Sequence, residues 1–166
     1  MLIMGIDPGI GISGYGLISG KQSNCRVIEY GVIKTPPELK MPSRLKQIYD
    51  SYIELMQKYK PDAVAVEELF FNKNAKTIIS VGQARGAALL AAALSNIEVF
   101  EYTPLQVKQA VVGYGRADKL QVQHMIKMFF NLDKLPRPDD AADALAVALC
   151  HMNSYKLQKI MDGRGF

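Results

Sequence analysis

Short apolar runs alternate with longer stretches of helical period along this chain. Leu2–Asp7 (LIMGID) stays apolar until its last residue and runs into Pro8-Gly9-Ile10-Gly11, which reads as a buried strand followed by a turn. Residues 13–19 (SGYGLIS) and 25–34 (CRVIEYGVIK) read as two more strands joined through a polar segment, a β-meander. From Pro42-Ser43 onward, Leu45, Ile48, Tyr49, Tyr52, Ile53 and Met56 recur at spacings of mostly three and four, predicting a helix that ends before Pro61. Residues 62–67 (DAVAVE) form a short apolar run of the kind buried on both faces. A long Ala-rich helix over 75–95 and a fifth strand over 98–102 follow, and helices over 104–112, 118–130 and 139–155 complete the set. Three strands, then helix, strand, helix, strand, helices: this order implies an α/β domain with a five-stranded mixed sheet and helices on both faces.

Composition narrows the class only slightly. The 166 residues suit one domain, read as 1–157 with a short C-terminal tail over 158–166. Lys and Arg number 20 against 16 Asp and Glu, a mild excess that favours an anionic partner. The apolar start is too short for a signal segment, and no later stretch reads as long and uncharged enough to span a bilayer. Cys25 and Cys150 lack metal-ligand spacing, so ordinary thiols in a cytoplasmic protein are expected.

The chemistry lies in four acids. Asp7 ends the first strand and Glu67 the fourth, while Asp140 and Asp143 stand three apart and so share one face of the last helix. If the first and fourth strands are parallel neighbours, Asp7 and Glu67 meet in the crevice beyond their carboxyl ends. Hydrolysis of a phosphodiester needs a nucleophilic water and charge relief at the leaving oxygen, which two divalent ions about 3.5–4 Å apart supply. Oxygen donors suit Mg2+. Taken singly, Asp7 before Pro8-Gly9 would be a turn residue and Asp139 a cap or dipole partner; Glu68 competes with Glu67 as a ligand. His124 reads as structural, and Met125, Met128, Phe129 and Phe130 as core. Phe70, Phe71 and Lys73 fall in a loop just after Glu67, where exposed rings could stack on bases, and Lys108, Arg116 and Lys119 gather around Gly113-Tyr114-Gly115, a candidate phosphate contact.

Five segments carry a family resemblance in order along nearly the whole chain. GIDPG with GYG (5–9, 14–16), VEELFFNKNAK (66–76), GQARG (82–86), EYTPLQVKQAVVGYGRADKLQVQHM (101–125) and DDAADALAVA (139–148) resemble the RuvC Holliday-junction resolvases, of the ribonuclease H-like superfamily. The resemblance implies a Mg2+-dependent endodeoxyribonuclease with two ions per site, Mn2+ being a possible substitute, and Asp7, Glu67, Asp140 and Asp143 as ligands. It further implies that Phe70 stacks on DNA, that Lys108 and Lys119 face phosphates and that Arg85 lies in a DNA-facing segment. The implied partners are four-way junction DNA, a second copy of the chain in contact through the helix over 75–95, where Ile78, Ile79, Ala84, Ala87, Ala88 and Ala91 offer more small or apolar positions than one core-facing stripe requires, and the RuvA–RuvB branch-migration complex. Two other classes stand beside this one: a junction-binding module without catalysis, and a relative of actin-like ATPases and sugar kinases, whose first phosphate loop DPGIGISGYG resembles but whose second lobe 166 residues cannot hold.

Overall fold

The meander forms as predicted. In the computed structural model β1 (Leu2–Asp7), β2 (Ile12–Lys21) and β3 (Asn24–Lys34) pair antiparallel in succession. β4 (Ala63–Glu67) and β5 (Glu98–Tyr102) add in parallel on the other side of β1, giving the sheet order β3-β2-β1-β4-β5. Residues 1–21, 24–69 and 75–161 are described, apart from the side chains of 75–76 and 156–161.

The period-2 alternation of the central strands sorts the core into two layers. Met4, Ile6, Leu17, Val64 and Val66 face α1 (Met41–Tyr59) and α2 (Ala75–Leu94) through Ile48, Tyr52, Ala84, Ala88 and Ala91. Ile3, Ile18, Ala63, Ala65, Phe100 and Tyr102 face the opposite layer, α3 (Pro104–Val112), α4 (Lys119–Phe129) and α5 (Asp139–Met161). Burial on both sides explains why β1 and β4 read as continuous apolar runs. Helices on both faces match the expectation.

The later helices start where local chemistry dictates. Thr103 and Asp118 each close a reciprocal capping box, with Gln106 and Gln121, so α3 and α4 begin at fixed positions beside the carboxyl ends of β5 and β4. Such a cap contributes about 1 kcal/mol. In the same layer, fully buried His151 accepts or donates at Nδ1 to the Tyr102 hydroxyl 2.7 Å away, and burial lowers its imidazole to about 4, so it sits neutral in the core.

Three expectations need correction. Met128 and Phe129 are not core: they are 72% and 43% exposed, because α4 turns only Val122, Gln123 and Ile126 fully inward. α2 is, against the reading above, long and apolar enough to cross a bilayer over Thr77–Leu94, with 22% of that stretch buried. Alanine supplies hydropathy without bulk, and among the described residues this helix is packed on one side, through Ala84, Ala88 and Ala91. Finally, α5 continues to Met161, beyond the predicted end of that helix at 155.

Candidate active site

Strand register brings the first two acids together. Ile6 lies opposite Val66 across the parallel β1–β4 pair, so Asp7 and Glu67, the next residues, end adjacent strands side by side. Asp7 is also the antiparallel partner of Gly14, and Glu67 the partner of Tyr102. Side chains alternate along a strand, so Asp7 shares the face of Gly5, and Glu67 the face of Ala65. Both are on the α5 side.

Glycines let α5 deliver the second pair. A Cβ on Gly14 would lie 2.0 Å from the Asp140 carbonyl oxygen, and one on Gly5 would lie 2.0 Å from that of Ala144. No side chain fits there, so the helix backbone rests directly on β1 and β2. Ala141, Ala142 and Ala144 are fully buried beneath it, as their size suggested. Asp140 therefore sits over the β2 residue that pairs with Asp7, and Asp143 follows one turn on.

The four acids feel one another. Asp7 is pushed up to about 8, first by burial and then by Asp143, Glu67 and Asp140, with Lys119 opposing. Burial and Asp143 likewise raise Glu67, against Lys108 and Lys119. Asp143 is raised by burial but steadied by Lys119, whose Nζ lies 2.8 Å from its carboxylate. Burial alone would lower the Lys119 ammonium; the hydrogen bond and charge of Asp143 outweigh it and raise it. Among the described residues no three of these side chains close on a single ion position, since Asp143 is turned to Lys119. The donor set still fits a hard divalent cation: four carboxylates gathered at one sheet edge, three of them raised above their ordinary range first by burial and then by one another's charge.

Beside the acids opens a cavity of about 170 Å3 bounded by Glu67, Asp143, Lys108 and Lys119, with Val107 and Val122 as apolar walls. The cavity was not foreseen, and neither was the Lys119–Asp143 pair; a helix–helix contact across 24 residues leaves no periodic signal in sequence. Lys108 and Lys119 thus reach the site, while Arg116 is exposed on the α3–α4 connection with Tyr114. Arg85 does not join them. It pairs with Glu101 on the α2 face of the sheet, opposite the carboxylates, where it ties α2 to β5. Asp139 lies in the first turn of α5, where a negative charge suits the helix dipole, and pairs with Arg137. Phe70, Phe71 and Lys73 lie outside the described residues.

A mixed sheet in this order, with acids at the ends of its first and fourth strands and on the helix crossing them, defines a ribonuclease H-like fold with a carboxylate cluster at one sheet edge. The comparisons agree. The family model "Crossover junction endodeoxyribonuclease RuvC" matches residues 3–151. Proteins of that name from Syntrophomonas wolfei and Halothermothrix orenii are 57% and 54% identical over 98% and 99% of this chain and 94% and 100% of their own. The Thermus thermophilus RuvC structure in complex with Holliday junction substrate superposes with a TM-score of 0.90 at 38% identity, covering 95% of this chain and 96% of that one. A yeast mitochondrial Holliday junction resolvase, at 14% identity and TM-score 0.66, shares the fold. The chain belongs to the RuvC family of crossover junction endodeoxyribonucleases.

Proposed function

We propose that this chain resolves four-way DNA junctions as a symmetric homodimer, each copy holding two Mg2+ ions on Asp7, Glu67, Asp140 and Asp143. The observation that carries this reading is the register that sets Asp7 beside Glu67 and lays Asp140 over Gly14. Bound divalent ions supply an activated water and charge relief at the leaving oxygen. Asp7, central among the acids, is the residue suited to bridging. Lys108 and Lys119, flanking the cavity, hold the scissile phosphate in place as cations whose affinity is set by counterion release. Mn2+ shares the oxygen-donor preference and substitutes. Phe70 and Lys73, a few residues beyond Glu67, are within sequence reach of the same DNA. A binding module without catalysis has no need of four mutually repelling carboxylates, and the chain keeps all four.

Two-fold symmetry follows from the substrate: a junction cut at one strand only is left nicked, and two symmetric cuts yield duplexes that can be sealed. The dimer surface is the outer face of α2. Ile79, Leu90 and Leu94 are 64%, 53% and 61% exposed there and recur with Gly86 along one stripe. The alanines first assigned to that surface, Ala84, Ala88 and Ala91, are instead buried against α1. The RuvA–RuvB complex is the partner that would present the junction in the cytoplasm. The test is cleavage of a four-way junction, a linear duplex and an RNA–DNA hybrid in Mg2+. Symmetric nicks in the junction alone are the expected result; preferential cutting of the hybrid would overturn the reading.

A further inference from the structure

We infer that the buried Ser13–Tyr52 hydroxyl pair positions the Asp7 carboxylate, acting through the backbone of the turn that follows β1. This rests on the active-site reading above and adds two residues to it.

Ser13 on β2 and Tyr52 on α1 are both fully buried, and their oxygens lie 2.7 Å apart. Ser13 Oγ donates to the Asp7 carbonyl at 3.3 Å and accepts from the Gly9 amide at 3.4 Å. The Tyr52 hydroxyl also reaches the Gly14 carbonyl at 3.3 Å. Counting protons leaves one arrangement that satisfies Ser13 in full: it donates to Asp7, takes the Gly9 N–H on one lone pair and the Tyr52 O–H on the other. Burial raises the Tyr52 hydroxyl well above its ordinary value, so it remains a donor at any working pH.

These bonds span Pro8, joining the residue that bears the carboxylate to the one two positions on. The place matters. Asp7 is the last residue of β1 in register with β2, so the ladder ends where repulsion from three other carboxylates is felt. Arg44, also on α1, secures the far side of the turn through Ile10 O at 3.2 Å and Thr35 Oγ1 at 2.8 Å. α1 thus braces the turn from the sheet face opposite to the one on which Asp7 projects. Packing alone would be served by an apolar pair of the same shape, because a buried hydroxyl gains little once its desolvation is counted. A Tyr52 hydroxyl that donates to Ser13, and a Ser13 hydroxyl bonded to the backbone of Asp7 and Gly9, serve position instead.

Two variants and two readouts test this. Ser13→Ala should lower kcat on a four-way junction about tenfold and weaken Mn2+ binding, measured by calorimetry without DNA, to a similar degree. Tyr52→Phe keeps the ring and should lose about threefold in each. In the double variant the Tyr52 change should add little, since it acts through Ser13. Junction affinity should stay near wild type throughout, because phosphate contacts set it. Wild-type kcat and Mn2+ affinity in both variants, whatever happens to the melting temperature, would overturn the assignment; should Ser13→Ala not fold, Tyr52→Phe alone decides. A wild-type protein that cuts no junction removes the reading beneath, a failure visible before any variant is made.

Discussion

At the scale of single residues, Asp7 sets the pH behaviour of the site. Burial and the neighbouring carboxylates push its carboxyl up to about 8 from the ordinary 3.8, so between those limits the folded chain holds a proton the unfolded chain has lost. Stability from this group is therefore full below about pH 4 and declines as pH rises toward 8. With chelator present, the melting temperature should fall across that window; Mg2+ should raise it most near pH 8, where the carboxylate is freed to bind, and Asp7→Asn should flatten the dependence. A Mg2+ increment independent of pH in wild type would contradict the clustering. The same Asp7→Asn protein should keep junction affinity yet retain under about a tenth of wild-type cleavage in a gel assay. The lysines separate by their partners. Lys108→Ala should weaken binding to all junction sequences alike and reduce the salt slope by about one unit. Lys119→Ala should do that and also release Asp143, so its effect on Mg2+ affinity, absent in the Lys108 variant, is the distinguishing readout.

At the scale of elements, the site depends on how closely α5 lies on the sheet. Gly14→Ala would drive a Cβ into the Asp140 carbonyl at 2.0 Å, and a backbone atom cannot step aside as a flexible side chain can. The helix end must lift, carrying Asp140 and Asp143 away from Asp7. The expected outcome is a protein about 1–3 kcal/mol less stable by urea titration that binds junctions but no longer cleaves them; full cleavage would show that α5 has slack. This contact also marks the limit of what sequence discloses. The strand-end positions of Asp7 and Glu67 were legible because a charge closing an apolar run stands out. So was the pairing of Asp140 with Asp143, because a spacing of three on a helix is enough to place them on one face. Rotation of the Ala-rich α2 was not legible: apolar residues surround it, so no polar stripe marks the outside. That is why Ala88 was placed at a surface it does not reach, and why the pairing of Arg85 with Glu101 could not be read from the GQARG segment. Met128 and Phe129 misled for a related reason. Hydrophobicity at a helix end does not say which way the last turn faces.

At the scale of the whole molecule, the two layers divide the labour. The α3–α4–α5 side of the sheet carries the carboxylate cluster and its lysines, and the α1–α2 side carries the brace on the Asp7 turn and the apolar stripe. A second copy docked on that stripe leaves both catalytic edges open, as cutting two strands of one junction requires. The exposure of Ile79, Leu90 and Leu94, over which no layer of the described residues lies, favours an interface over ordinary core packing. Leu90→Glu puts a charge on this face at a site already half in solvent, so the monomer loses little stability. Ala88→Glu, by contrast, buries an unpaired carboxylate against α1 and should unfold the chain. Light scattering at micromolar concentration should return twice the chain mass of 18.4 kDa for wild type and a single chain mass for Leu90→Glu. On a supercoiled plasmid with an extruded cruciform, wild type should linearise the circle within one binding event. Leu90→Glu, folded and with its carboxylates intact, should instead accumulate nicked circles, since each bound copy cuts one strand and the second cut awaits another encounter. Linear product at the wild-type rate from a protein that scatters as a monomer would separate cleavage from dimerisation and remove α2 as the interface.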